Sequence, residues 1–238
     1  SLSSFEFVDC ENFSVHAPEL FDNDHLLDLS SNEPQYLQKS IDNYYRTIEC
    51  VIKIKEILQV NRRIPLVVNC GGFSRRGFFE EQTRNKVEDR LIGTILNLDK
   101  SEVIFCAQTM PPFPWHFGGQ QHHNLMRKPD EIIKVCEQAK INICLDTSHT
   151  LMAANYFGFQ FLDALATLIP YTKHMHLADA IGYDEEGVSL GKGELPLSEV
   201  KRIIDTSDSK FGVVIETWQG HLDGGTGFRN DLINWLKA

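Results

Sequence analysis

Ile143-Cys144-Leu145-Asp146-Thr147-Ser148-His149 carries most of the fold information in this chain. Three apolar residues run straight into an aspartate, and a histidine follows three positions later. The apolar run is strand-sized, and a helical stretch precedes it. Within Asp130-Ala139, the residues Ile132, Val135, Cys136 and Ala139 recur at i, i+3, i+4 spacing. A short, wholly apolar strand fed by an amphipathic helix is what a parallel sheet covered by helices requires.

The same alternation extends in both directions. Candidate strands are Phe13-His16, Leu66-Cys70, Val103-Gln108, Ile143-Asp146, His174-Leu177 and Val213-Glu216. Between them the spacing predicts helices over Tyr36-Leu58, Glu80-Leu96, Asp130-Ala139, Phe159-Leu168 and Leu197-Asp205, with a last one over Asn230-Leu236. Pro129 suits the first turn of its helix, and Pro34 precedes the long early one. Strict βαβα alternation predicts an α/β domain, parallel strands inside and helices outside, built as an open doubly wound sheet or as a barrel. No strand leads into a G-x-G-x-x-G or G-x-x-x-x-G-K loop. Gly71-Gly72 is only a pair, and Gly191-Lys192-Gly193 does not directly follow a strand, which weighs against a nucleotide-binding sheet.

Composition sets the outer bounds. The chain has 238 residues, 42% hydrophobic and 24% charged, which suits a globular domain able to bury a core without disulfides. No apolar run approaches the ~20 residues of a membrane span, and the first residues lack signal-peptide character. A net charge of -10 argues against nucleic acid as the main partner. Cys10, Cys50, Cys70, Cys106, Cys136 and Cys144 form no C-x-x-C pair. They are expected to be reduced, mostly buried thiols of a cytoplasmic protein.

The chemistry concentrates at strand ends. The first candidate strand ends in His16, the second in Asn69 and the third in Gln108. The fourth ends in Asp146 with His149 beyond, the fifth carries His174 and His176 with Asp179 beyond, and the sixth ends in Glu216 with His221 beyond. In a parallel barrel the C-terminal strand ends face one mouth. Ionisable groups gathered there are costly unless paired or metal-bound, so the pattern points to a divalent cation and a polar ligand. Competing readings exist. Asp146-Thr147-Ser148 also suits a helix N-cap, and His149 also suits a solvated helix face. One of His174 and His176 is expected to face the helices, although alternation puts both on one side. His25, His116, His122 and His123 fall in loops and read as mostly solvated. Arg75 and Arg76 read as solvated charge, or as a phosphate contact near a strand end. The aromatic stretch from Met110 to Gly119 reads as a cover or a lid, with Trp115 and Trp218 suited to stacking on a sugar.

These residues resemble a known family. Ser14-Val15-His16-Ala17-Pro18, Leu145-Asp146-Thr147-Ser148-His149, His176-Leu177-Ala178-Asp179 and Ile215-Glu216-Thr217 are similar to the xylose-isomerase-like barrel superfamily, from about residue 13 to the end. That superfamily holds sugar isomerases, sugar 3-epimerases, inosose dehydratases and apurinic endonucleases. Met110 to Gly119, Asp179 to Glu194 and Glu216-Thr217-Trp218-Gln219-Gly220-His221 resemble, more narrowly, the sugar phosphate isomerase/epimerase-type barrel found with or fused to N-acetylneuraminate synthase-like proteins.

The resemblance implies a sugar or sugar-phosphate isomerase/epimerase with one divalent metal, Mn, Zn, Co or Mg, held by Glu, Asp, His and Glu. Asp146, His176 and Glu216 match the last three ligands, and Gln108 stands where the first Glu is expected. A glutamine ligates through its amide oxygen but cannot abstract a proton. Two-base epimerisation therefore loses a base, and proton transfer falls to Glu216. His149 is expected to hold a substrate oxygen, with His16, Asn69, Trp115, Trp218 and His221 contacting the sugar. An alternative is a catalytically reduced, sugar-binding or scaffolding barrel attached to a synthase. The endonuclease branch fits worse. Asn69 replaces a histidine of its zinc set, Gln108 replaces the bridging Glu, and Asp184-Glu185-Glu186 lacks the expected Asp-x-His. Only six strands are legible where a (β/α)₈ barrel has eight. Residues 1–238 are thus expected to be one barrel domain, open where the first two βα units belong, with residues 1–12 the tail of a preceding unit.

Overall fold

The computed structural model describes residues 13–116 and 119–238. Six parallel strands form its main sheet: β1 (Val15–His16), β2 (Ile64–Val68), β3 (Val103–Gln108), β4 (Asn142–Asp146), β5 (Thr172–Leu177) and β6 (Gly212–Ile215). Each pairs with the next in chain order, so β1 and β6 are the two edges among the described residues. The helices are α1 (Pro34–Leu58), α2 (Glu81–Asn97), α3 (Pro129–Ala139), α4 (Thr147–Phe157), α5 (Phe161–Leu168), α6 (Leu197–Asp205) and α7 (Leu222–Lys237). The result is the expected run of a (β/α) barrel, open between β1 and β6. The expectation for residues 1–12, and Cys10 with it, lies outside the described residues.

Strand alternation divides the sheet into two environments. Leu66, Val68, Val103, Phe105, Ile143, Leu145, Met175 and Leu177 are buried in the large core beneath the helices. Each such side chain contributes roughly 1.5–3 kcal/mol by leaving water. The opposite face is the lumen, where Val67, Cys106 and Cys144 form a small buried cluster of their own. Two residues further along each strand, the lumen face turns polar. Gln108 follows Cys106, Asp146 follows Cys144, and His176 follows His174.

Register aligns these layers. Cys144 pairs with His174 and Asp146 with His176. His174 therefore faces the lumen with His176 and not the helices, and its Nε2 reaches Ser14 Oγ at 3.3 Å. Period-two alternation overrides the expectation that one of these rings is structural.

The loops hold more structure than periodicity reveals. Phe73–Ser74 pairs with His122–His123, and Trp115–His116 pairs with Gly119–Gln120. This packing buries His123 and half-buries His122, whose ring lies edge-on to Phe78. His25 is also buried, bonded to Ser40 Oγ at 3.0 Å. His25, His122 and His123 are thus packed rather than solvated. Asp179 accepts backbone N–H bonds from Ala180, Gly191, Gly193 and Leu195, and so anchors the long excursion before α6. Cys70, Cys106, Cys136 and Cys144 are buried free thiols, while Cys50 is exposed. No helix among the described residues is long and apolar enough to cross a membrane.

Candidate active site

β4 delivers Asp146 to the mouth and ends there because Asp146 starts α4. Its Oδ1 accepts from His149 N at 3.0 Å and Ser148 Oγ at 2.8 Å, so the carboxylate does cap the helix. Capping uses one oxygen. The other, Oδ2, faces the lumen, 3.3 Å from Gln108 Nε2 and 3.7 Å from His176 Nδ1. One side chain thus caps α4 with one oxygen and turns the other to the lumen.

Glu216 completes the group from just beyond β6, held by its backbone N–H on Leu177 O at 3.1 Å. Its Oε2 lies 2.6 Å from His176 Nδ1. One ligand atom from each of Asp146, His176 and Glu216 falls within 4.8 Å of the others. Gln108 Nε2 is 3.3 Å from His176 Nδ1, and His16 Nε2 is 3.0 Å from Gln108 Oε1. The four sequence-predicted ligands thus meet, with His16 beside them.

His149 stands over this group. Its Nδ1 donates to Thr109 O at 2.9 Å and lies 3.4 Å from Asp146 Oδ2, while Nε2 is 3.3 Å from Glu186 Oε2. Burial works against its charge, but Asp146 and Glu186 outweigh that and push its pKa up to about 10. Burial likewise opposes ionisation of Asp146, yet His149 and His176 hold its carboxyl well below the usual range. His176 is raised well above an ordinary imidazole, against its own burial, by Cys144, Asp146 and Glu216.

Above these residues opens a cleft of about 740 Å³. Trp115 and Trp218 edge it, 64% and 76% exposed, and His16 and His221 line it. Asn69 does not reach the lining. It is buried, with Nδ2 donating to Glu19 Oε1 at 2.9 Å. Six carboxylates line the cleft, from Glu19, Asp146, Asp184, Glu185, Glu186 and Glu216, and no lysine or arginine does among the described residues. Arg75 and Arg76 are exposed and take no part in the lining. Glu186 and Glu19 were invisible in the pattern of strand ends. Glu186 arrives on a hairpin, Asp179–Ile181 against Glu185–Val188, that is tied to the β6 loop by Trp218 N on Gly187 O at 2.7 Å.

The xylose isomerase-like TIM barrel family matches residues 9–238. The chain belongs to that family. No curated protein sequence matches this family member. Among solved structures, a D-tagatose 3-epimerase-like protein superposes with a TM-score of 0.65 at 19% identity, covering 95% of this chain and 77% of the other. D-psicose 3-epimerase from Clostridium cellulolyticum H10 gives 0.64 at 15% identity, covering 89% and 74%. The 3-keto-D-glucoside 4-epimerase of E. coli gives 0.60 at 14% identity, covering 89% and 75%. At these identities the likeness establishes the xylose isomerase-like barrel as the fold.

Proposed function

We propose that this barrel is a metal-dependent sugar isomerase that works through a single carboxylate base, Glu216. The observation that carries this is the convergence of Asp146, His176 and Glu216 within 4.8 Å at the floor of a cleft. The donors fit a divalent cation. His176 Nδ1 and Glu216 Oε2 lie 2.6 Å apart and share a ring proton that a cation would replace as the two side chains part slightly, and Asp146 Oδ2 adds a second anionic oxygen. Mixed N/O ligation suits Mn, Zn, Co or Mg, with Gln108 as a fourth, neutral ligand. When bound, such an ion polarises a substrate carbonyl and its adjacent hydroxyl.

The chain's own residues supply the rest. Glu216 takes a proton from one carbon and returns it to the neighbouring one, while the hydroxyl proton of one substrate oxygen passes to the other. Gln108 cannot take a proton, so transfer stays on one face of the substrate. One-face transfer moves a carbonyl between adjacent carbons, which is isomerisation, and does not invert a centre. His149 offers a charged N–H to the oxygen on which negative charge builds. Trp115 and Trp218 provide ring surface for the sugar, and His16 and His221 provide polar contacts. The acidic lining, with no basic side chain, favours a sugar without phosphate. The named sugar epimerases among similar structures support a sugar substrate. Buried free thiols suit the cytoplasm. In this reading residues 1–238 act as one domain, and two further βα units would close the sheet between β1 and β6.

A second reading keeps the site without turnover: a sugar-binding barrel attached to an N-acetylneuraminate synthase-like enzyme. Gln108 in place of a carboxylate favours it. One experiment separates the two. The chain, loaded with Mn²⁺, is incubated in D₂O with aldoses, ketoses and amino sugars and followed by proton NMR. Deuterium entering a sugar carbon, lost in Glu216→Gln, supports the isomerase. Bound metal with no exchange on any sugar supports the second reading.

A further inference from the structure

The lumen layer directly below the candidate active site holds a second group of ligating side chains. Cys144 and His174 are register partners on β4 and β5, and His176 is the next lumen-facing residue after His174. One ligand atom from each of Cys144, His174 and His176 lies within 4.8 Å of the others. All three are buried, at 0%, 4% and 5% exposure, so no bulk water competes for them.

The two groups differ in chemistry. The upper one offers carboxylate and amide oxygens around one imidazole. The lower one offers a sulfur and two imidazoles, with no carboxylate. Thiolate and imidazole donors select zinc-like ions over magnesium or manganese. Cys106 is in the same layer, but its Sγ is engaged with Ile104 O at 3.4 Å.

We propose that Cys144, His174 and His176 form a second cation site, selective for thiophilic divalent ions of the zinc and cadmium type, which competes with the upper site for His176. Binding converts the Cys144 thiol to a thiolate and releases its proton to solvent, with no change of oxidation state. A water takes the fourth tetrahedral position. Zn–N and Zn–S bond lengths call for ligand spacings of roughly 3.3–3.8 Å, so the three side chains close by at most about 1.5 Å. A ring that ligates one ion and keeps its other proton cannot serve a second ion, so filling the lower site takes the imidazole from the upper one. The competition rests on the upper site binding a metal; the lower site itself does not.

The test is a Cd²⁺ titration of the metal-free, reduced chain, read by the ultraviolet thiolate-to-cadmium absorption band. One equivalent should saturate the band in wild type. Cys144→Ser should abolish that equivalent, and His174→Gln, which keeps the thiol, should weaken it about tenfold or more. Circular dichroism checks that both variants fold, with Cys144→Ala in reserve. No band in wild type, or an unchanged titration in both variants, overturns the site. In parallel, the chain is loaded with Mn²⁺ and free Mn²⁺ is read by electron paramagnetic resonance. Cd²⁺ should release Mn²⁺ from wild type and not from Cys144→Ser. Retained Mn²⁺ alongside the cadmium band overturns the competition. Failure of wild type to bind Mn²⁺ at all overturns the upper site while leaving the cadmium result to stand.

Discussion

His16 and Gln108 meet across the lumen, with Nε2 of the ring 3.0 Å from the side-chain amide. The ring's other nitrogen, Nδ1, gives its proton to Ala17 O at 2.7 Å. With one ring proton so placed, Nε2 is an acceptor and calls for the NH₂ end of Gln108. The two orientations of an amide are nearly isosteric. Turning this one to meet His16 points Oε1 at Asp146 and His176, where a cation would take it. His16 therefore orients a ligand. His16→Phe should weaken Mn²⁺ binding about tenfold, measured by calorimetry, with the melting temperature little changed.

Gln108→Glu restores an anionic ligand and a base together. Metal affinity should rise by about tenfold or more, since a third carboxylate joins the group. The variant should also gain inversion at a sugar carbon, detected as epimer formation by NMR. An affinity gain without epimer would mean that residue 108 does not face the reacting carbon.

Asp146 allows its two duties to be separated. Asp146→Asn keeps an oxygen able to accept from His149 N, so α4 retains its cap, while the charge facing His176 is lost. Metal binding should fall by at least about a hundredfold, and stability should fall by about 3 kcal/mol as the buried pairing with His149 and His176 is lost while the cap is kept. Asp146→Ala should lose about 1 kcal/mol more by giving up the cap. Chemical denaturation in chelator, beside a metal titration, reads both effects.

The strand ends were legible because each polar residue terminates an apolar run, and period-two alternation then fixes its face. Gln108, Asp146, His176 and Glu216 sit where that rule puts a strand-end group, and the family resemblance singles them out as a ligand set. Glu186 and Glu19 do not, because they come from connecting segments whose short pairings leave no periodic trace. Asn69 obeys the same rule and stays outside the cleft lining. It lies one residue past β2, and its amide turns to Glu19. α4 was not assigned as a helix, although its N-cap was recognised; its face is nearly all buried, from Thr147 to Ala154, so it lacks an amphipathic stripe. α7 begins with a short turn before the expected helix, from which it is separated by Asp223, Gly224 and Gly225 in left-handed backbone angles.

Gly71 was read only as half of an incomplete glycine loop, and its role is steric. Its φ is +86°, and a Cβ there would come within 2.5 Å of the Asp28 Cα. Gly71→Ala should cost about 3 kcal/mol or more, because backbone rather than a flexible side chain must move. Gly158, which ends α4 with φ +78° and open space around it, is the comparison. Gly158→Ala should cost only about 1 kcal/mol. Equal losses in urea denaturation would remove the close approach as the cause.

His174 makes acid stability a property of the lumen. Its pKa is about 4 in the folded chain, lowered by burial first and then by His176 and His16, against 6.5 for a free imidazole. The unfolded chain binds the proton more readily, so this residue's contribution is full above pH 6.5 and is lost as pH falls towards 4. Integrated over that window the loss is about 3 kcal/mol. Other acid-labile groups, Asp146 among them, contribute in the same range, so the informative quantity is a difference. Urea denaturation of wild type and His174→Gln in chelator, at pH 7 and pH 4.5, should find the variant losing about 2 kcal/mol less than wild type on acidification. Identical losses would mean that the ring already takes up its proton in the folded lumen, with Ser14 and the exposed Gly212 edge leaving it better solvated than its burial suggests.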